Sequence, residues 1–390
     1  MKKDYLIILI IQITETLGFS LILPFLPLYA KSLGASPLTI GLILTSFSIC
    51  QFVSAPIMGR LSDHYGRKPL LVFSQLSTFI SFIILAAADS LWLIFLSRII
   101  DGILGSNFTI AQAYLSDVSG EKERSQAFGL SGVAFGVGFL IGPAIGGFLA
   151  GIDYSIPSLL AALISLGTII ITLTSLQETV KRKGKVRLNG EMFKLKAFKK
   201  YLVDFRIKCL LAAFFAYSLA HTVWVSQASL FTEKLLGFGT QQMGLVLTYI
   251  GFLTILLRGV LLKKLIKIFG ELPLQKIGII LSGLGLLLSF FGAEPLIFWL
   301  SLTIFALGTG LARPLLLASL SKQVSSQEQG SILGVANSLG SLSRIIGPLM
   351  GGAIINYFYP GFLGIAAGLI IAAGLVVDLK RPKIKVSSAG

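Results

Sequence analysis

Apolar runs separated by short charged or Gly/Pro-rich intervals recur along the whole chain. They fall near 5–30, 38–59, 70–88, 91–113, 126–150, 156–177, 208–232, 239–262, 274–293, 295–318, 330–356 and 361–379. Crossing a bilayer core as a helix takes about 20 residues, so the pattern predicts twelve membrane-spanning helices and an all-α polytopic membrane protein. The longest polar interval, 178–207, divides the spans into two sets of six. The expected organisation is an N-terminal half over 1–177, a basic linker over 178–207 and a C-terminal half over 208–390 with a short basic tail.

The second part of the linker carries Met192, Leu195, Phe198 and Leu202 at helical spacing, with Lys194, Lys196, Lys199 and Lys200 between them. An amphipathic helix lying on anionic lipid and a solvated basic linker both fit this pattern. The N-terminal Met1-Lys2-Lys3 followed by apolar residues is signal-peptide-like. No small-residue cleavage site follows, and the apolar run continues to Tyr29, so it is read as the first span.

Composition agrees with the periodicity: 54% of the 390 residues are hydrophobic and the mean hydropathy is +0.86. After twelve spans of about 20 residues, too little chain remains for a sizeable soluble domain. Cys50 and Cys209 fall in or beside apolar runs, without metal or redox spacing, and are expected to be packing residues.

The net charge of +16 would suggest nucleic-acid binding in a soluble chain, but its distribution gives it another meaning. With the N-terminus inside, 27 Lys and Arg fall on the cytoplasmic side and only Lys31 and Lys234 on the other. Arg98, Arg258, Arg313 and Arg344 lie within spans. The imbalance predicts that both termini are cytoplasmic and removes the reason to expect a nucleic-acid partner.

An internal repeat supports the division into halves. AFGLSGVAFGVGFLIGPAIGGF (127–148) aligns with ILGVANSLGSLSRIIGPLMGGA (332–353) at an offset of 205, sharing GPxxGG in the fifth helix of each half. Two parallel, pseudo-symmetric six-helix repeats are the expected architecture.

GRLSDHYGRKP (59–69), read as the loop after the second helix, resembles the GxLxDxxGRK signature of the major facilitator superfamily at Gly59, Leu61, Asp63, Gly66, Arg67 and Lys68. The residues alone also fit a positive-inside loop with a glycine turn. The resemblance implies the major facilitator fold and a cytoplasmic latch. In it Asp63 meets the start of the eleventh helix and charges at the end of the fourth, where Asp117 and Arg124 stand. In the second half Lys267, Lys322 and Gln329 occupy the matching positions, so that latch is degenerate.

GVGFLIGPAIGG (136–147) is similar to the GxxxGPxxGG pattern of antiporter branches in that superfamily, through Gly138, Gly142, Pro143, Gly146 and Gly147. Close helix approach and a proline bend explain the same residues by packing alone.

Ionisable groups within spans are costly and are therefore site candidates. Glu15 and Asp101 each lie about ten residues into their helices, roughly 15 Å deep, and Arg98 is one turn from Asp101. ETLGFSLILPFLP around Glu15 resembles the start of tetracycline and multidrug efflux members, and Arg98 matches the fourth-helix arginine assigned to proton transfer there. Asp101 is less expected in that pattern. The resemblance implies proton coupling through Glu15, Asp101 and Arg98; a static Glu15–Arg98 or Asp101–Arg98 pair is the alternative.

Arg258, Arg313 and Arg344 give the second half a cationic lining that suits an anionic or zwitterionic solute, although Arg258 and Arg313 are near enough to helix ends to snorkel. Asn107, Gln112, His221, Trp224, Gln227, Asn337 and Arg344 are candidates for a substrate cavity, each with an interhelical contact as the alternative.

No HExxH, GxSxG, P-loop or Cys/His cluster occurs, which disfavours membrane hydrolases and ATP-driven pumps and gives no reason to expect a metal or cofactor. The expected function is secondary transport by a plasma-membrane monomer: proton-coupled export of small amphipathic organic compounds by alternating access. A facilitator or symporter for an anionic metabolite, and a transport-incompetent sensor or assembly partner, remain alternatives.

Overall fold

A computed structural model describes residues 3–119, 124–180, 200–325 and 327–381. Lys122, the linker lysines 181–199 and the side chain of Arg124 lie outside the described residues, as do Met192, Leu195 and Phe198. Among the described residues there is no strand, and twelve helices are long and apolar enough to cross a membrane.

These are α1 Tyr5–Ser32, α2 Pro37–Tyr65, α3 Arg67–Ala86, α4 Leu91–Val118, α5 Arg124–Ala150, α6 Ser155–Ser175, α7 Phe205–Leu236, α8 Thr240–Phe269, α9 Glu271–Phe291, α10 Pro295–Ser321, α11 Gln329–Tyr357 and α12 Phe362–Leu379. Two helices are interrupted. α1 breaks between Ile22 and Leu26, at Pro24, which has no N–H to give the ladder. α4 breaks between Leu104 and Asn107, at Gly105 and Ser106.

The connection between α2 and α3 is shorter than the charge pattern predicts. α2 continues to Tyr65, so most of the segment read as a loop is helical, and only Gly66 stands between the two helices. Its φ of +108° is open to glycine and strained for other residues. Gly34, Gly66, Gly237 and Gly270 are the positive-φ residues among those described, and they fall into two pairs, 203 and 204 residues apart. The repeat is therefore present in the turns as well as in GPxxGG.

The chain forms two compact units. The first comprises Met1–Met192 with Ser226–Phe252 and Pro348–Pro360; the second comprises Phe193–Val225, Leu253–Gly347 and Gly361–Gly390. The first six helices thus pack with one end of α7, α8 and α11. There Lys31 pairs with Glu233 at 2.5 Å, Ser229 Oγ donates to Pro24 O at 3.0 Å, and Tyr29 stacks on Tyr154 at 4.8 Å.

In the second unit α9 lies closely on α10. A Cβ on Gly278 would stand 2.7 Å from Ala312 N, and one on Gly285 would stand 2.5 Å from Phe305 N. Buried Gln275 joins three helices of this unit, donating to Asp378 Oδ2 at 3.3 Å and accepting from Ser319 Oγ at 2.5 Å.

Candidate functional site

The break in α4 brings together side chains that a straight helix would separate. Asn107, the first residue after the break, donates through Nδ2 to Glu15 Oε2 at 2.7 Å and to Thr78 Oγ1 at 3.0 Å. Thr78 in turn donates to Asp101 Oδ1 at 2.9 Å. An amide nitrogen has two hydrogens and a hydroxyl can both accept and donate, so one proton arrangement satisfies all three bonds. The result is a polar chain from α1 through α4 and α3 back to α4. Gly105 leaves room for it, since a Cβ there would stand 3.0 Å from Thr78 Oγ1.

The chain continues to a cation. Asp101 Oδ2 lies 3.5 Å from Arg98 Nη1, and these residues are only 6% and 3% exposed. Arg98 also donates to Ser81 Oγ at 3.0 Å and Ser97 Oγ at 3.2 Å, and its guanidinium lies 5.9 Å from the Phe82 ring centroid. A buried ion pair contributes little net stability, yet removing one partner typically costs about 3–5 kcal/mol because the other charge is stranded.

Glu15 differs from Asp101 in that its bonded neighbour is a neutral amide. Its Oε1 is buried and has no hydrogen-bond partner among the described residues, and the same holds for the side-chain amides of Gln12 and Gln75. A buried ionised carboxylate without a cation is costly, and accepting a proton removes that cost. The arrangement therefore supplies one carboxylate neutralised by Arg98 and one able to exchange its charge for a proton.

Thr78, Ser81, Gln75 and Gln12 did not enter the sequence reading. A signal for the first three exists: Ser74, Gln75, Ser77, Thr78 and Ser81 recur at helical spacing along an otherwise apolar α3, and all five are buried.

The signature around Gly66 is assembled on Arg67. Its guanidinium reaches Asp63 Oδ1 at 2.5 Å, Asp117 Oδ2 at 2.8 Å, Ser62 Oγ at 2.6 Å and Gly59 O at 3.5 Å. Asp63 is otherwise open to solvent, its side chain 61% exposed. Glu178, also absent from the sequence reading, accepts from Arg67 N at 2.9 Å and Lys68 N at 3.1 Å, so its carboxylate caps the start of α3.

The glycines of α5 bring two other helices close. Cβ atoms on Gly138, Gly142 and Gly146 would run into α1 at Thr16, Ser20 and Leu21. Gly147 faces Gly244 of α8, and Gly244 in turn faces Pro143 O, with 2.5 Å left for its Cβ. The repeat reproduces this arrangement, since Gly352 of α11 faces Pro37 O and Gly41 of α2 faces Pro348 O. Ser20 Oγ donates to Gly138 O and Thr222 Oγ1 to Ser343 O, each at 2.9 Å and each five residues before the proline.

Of the remaining cavity candidates, Gln227 is fully buried and donates to Pro348 O at 3.1 Å, an interhelical bond on α11. Gln112 is half-buried on α4, whereas Asn337 and Arg344 are exposed along α11. In the second unit His221 stacks on Phe305 at 5.7 Å, and Trp224 lies against the same ring at 5.3 Å. The structure thus brings Asn107 to the Glu15 chain and His221 and Trp224 to Phe305.

The Major Facilitator Superfamily model matches residues 8–348 and 265–389. The tetracycline resistance protein, class H, of Pasteurella multocida is 32% identical over 388 residues, covering 96% of each chain. Multidrug resistance protein 2 of Bacillus subtilis (strain 168) is 29% identical, covering 98% of this chain and 96% of that one. A D-xylose-proton symporter structure superposes with a TM-score of 0.78 at 16% identity, covering 98% of each chain, a likeness of fold. With twelve spans, paired proline–glycine helices and a superfamily model matched along nearly its whole length, the chain belongs to the major facilitator superfamily, as a multi-pass membrane transporter of the tetracycline and multidrug resistance branch.

Proposed function

We propose that this transporter exports small amphipathic organic compounds in exchange for protons. The observation that carries the reading is the buried Glu15–Asn107–Thr78–Asp101–Arg98 chain. Glu15 takes up and releases the proton. Asn107 and Thr78 communicate its charge state to Asp101, and Arg98 keeps Asp101 neutralised. Protonation of Glu15 weakens the demand for its Asn107 bond at the break in α4, where backbone geometry is least constrained by the helix ladder. Relatives bearing tetracycline and multidrug resistance names support drugs as the solutes.

The same reading keeps the other sequence expectations together. The protein works as a plasma-membrane monomer with both termini cytoplasmic, and its two six-helix repeats, 1–177 and 208–390, alternate access by rocking. Asp63, Arg67, Asp117 and Arg124 form the cytoplasmic latch. The test is purified protein in proteoliposomes with an imposed pH gradient, offered tetracycline and rhodamine 6G, with internal pH recorded in parallel. Solute movement with proton counterflow, both abolished by Glu15→Gln, is the expected result. Solute movement that persists without the gradient and in Glu15→Gln would overturn the proposal.

A further inference from the structure

Arg98 pairs with Asp101, while Glu15, at the other end of the same polar chain, is left with the neutral amide of Asn107. A desolvated guanidinium attracts either carboxylate. The choice of Asp101 over Glu15 therefore calls for a physical barrier.

α4, α5 and α6 pack on α1, and α3 reaches it through the side chain of Phe82. Between the ends of these five helices the ionisable residues besides Glu15 are Arg98, Asp101 and Tyr114. Tyr114 donates to Gln177 O at 2.9 Å, near the end of α4. Among the described residues, Arg98 is thus the one cation that these helices carry away from their ends.

Thr78, Ser81 and Phe82 stand three and four residues apart and share a face of α3. Thr78 meets Asn107 and Asp101, Ser81 Oγ accepts from Arg98 Nη2 at 3.0 Å, and the Phe82 ring centroid lies 5.9 Å from the Arg98 guanidinium carbon. The edge of the same ring touches α1. Its Cε2 and Cζ lie 3.5 and 3.8 Å from where a Cβ would stand on Gly18, one turn along from Glu15. Phe82, Glu15 and Gly18 also line one small cavity against α6. The ring is only 2% exposed, so it fills space between helices.

We infer that Phe82 is a positioning residue for proton coupling: its ring bars Arg98 from Glu15, so that the cation stays with Asp101 and Glu15 remains free to accept a proton. The quadrupole of the ring adds an attraction that holds the guanidinium where it is. This role rests on Glu15 being the proton carrier and supplies the reason that it is left unpaired. Without the ring, the long arginine side chain gains the space to reach Glu15 and stabilise its ionised form.

Dicyclohexylcarbodiimide, which modifies protonated carboxyl groups in apolar surroundings, tests the inference on the purified full chain in nanodiscs. Labelling of the Glu15 peptide is followed by mass spectrometry across pH. Phe82→Ala is expected to lower the pH of half-labelling by about one unit or more, and Phe82→Val to lower it less. Each variant is checked for a monodisperse elution profile, and the valine variant decides if the alanine variant does not fold. In an Arg98→Gln/Asp101→Asn background, which removes the cation and its partner together, the shift should vanish. An unchanged or raised half-labelling pH in the folded variant, or the same fall in that background, would overturn the inference, the latter by assigning the effect to water entry. Should Phe82 variants leave half-labelling unchanged while wild-type Glu15 titrates and solute moves with proton counterflow, only the role of Phe82 fails. Should wild-type Glu15 take no label at any pH, the proton-carrier reading fails and the role of Phe82 with it.

Discussion

Asn107 holds the Glu15 carboxylate at 2.7 Å with the same amide nitrogen that reaches Thr78 at 3.0 Å, so one side chain links the unpaired acid of α1 to the paired acid of α4. Asn107→Ala removes both bonds while leaving Arg98 and Asp101 in place. The initial rate of gradient-driven tetracycline movement in proteoliposomes is expected to fall about tenfold, the scale of one charge-assisted bond, with an unchanged elution profile. A wild-type rate would show that the link is structural only.

Gly142 and Gly129 lie on the same helix in different surroundings. A Cβ on Gly142 meets Ser20, whereas one on Gly129 meets nothing within 4 Å. Gly142→Ala should therefore destabilise by about 1–3 kcal/mol through overpacking. Gly129→Ala should leave stability unchanged or raise it by up to about 1 kcal/mol, through helix propensity. Thermal unfolding in detergent distinguishes the pair, and equal shifts would contradict the assigned packing.

The bond between Arg258 and Gly310 O exists because Pro314 leaves that carbonyl unserved. Pro314→Ala returns an N–H to the ladder, so Arg258→Gln should be less damaging in that background than in the wild type. A double-mutant cycle on thermal stability is expected to show a coupling of about 1 kcal/mol. Strict additivity would mean that Arg258 has another principal role.

Glu178 and Asp63 separate stability from transport at the α2–α3 turn. Glu178 caps two backbone N–H groups, and Glu178→Ala should cost about 1 kcal/mol. Asp63 is mostly exposed, so Asp63→Asn should change stability by no more than about 0.5 kcal/mol while slowing transport if it acts as a latch. Paired melting curves and initial rates decide between these roles.

The twelve helices were legible because each writes its own signal: a bilayer forces every span to be long, apolar and internally hydrogen-bonded. The duplication was legible for a related reason, since GPxxGG and the turn glycines perform tasks that few other residues can. Glu15, Asp101 and Arg98 also stood out, because charge in an apolar run is rare. The sequence therefore determined the fold class, the repeat and which buried charges required an explanation.

Their partners depended on tertiary structure. Asp101 faces Arg98 whereas Glu15 faces Asn107, a choice set by the break in α4 and by how α1, α3 and α4 meet. Serine, threonine and glutamine are common enough in spans that Thr78, Ser81 and Gln75 carry no individual mark, and Glu178 lies 111 residues from the N–H group of Arg67 that it caps. Helical periodicity fixes which side chains share a face of one helix, and only packing decides which faces meet.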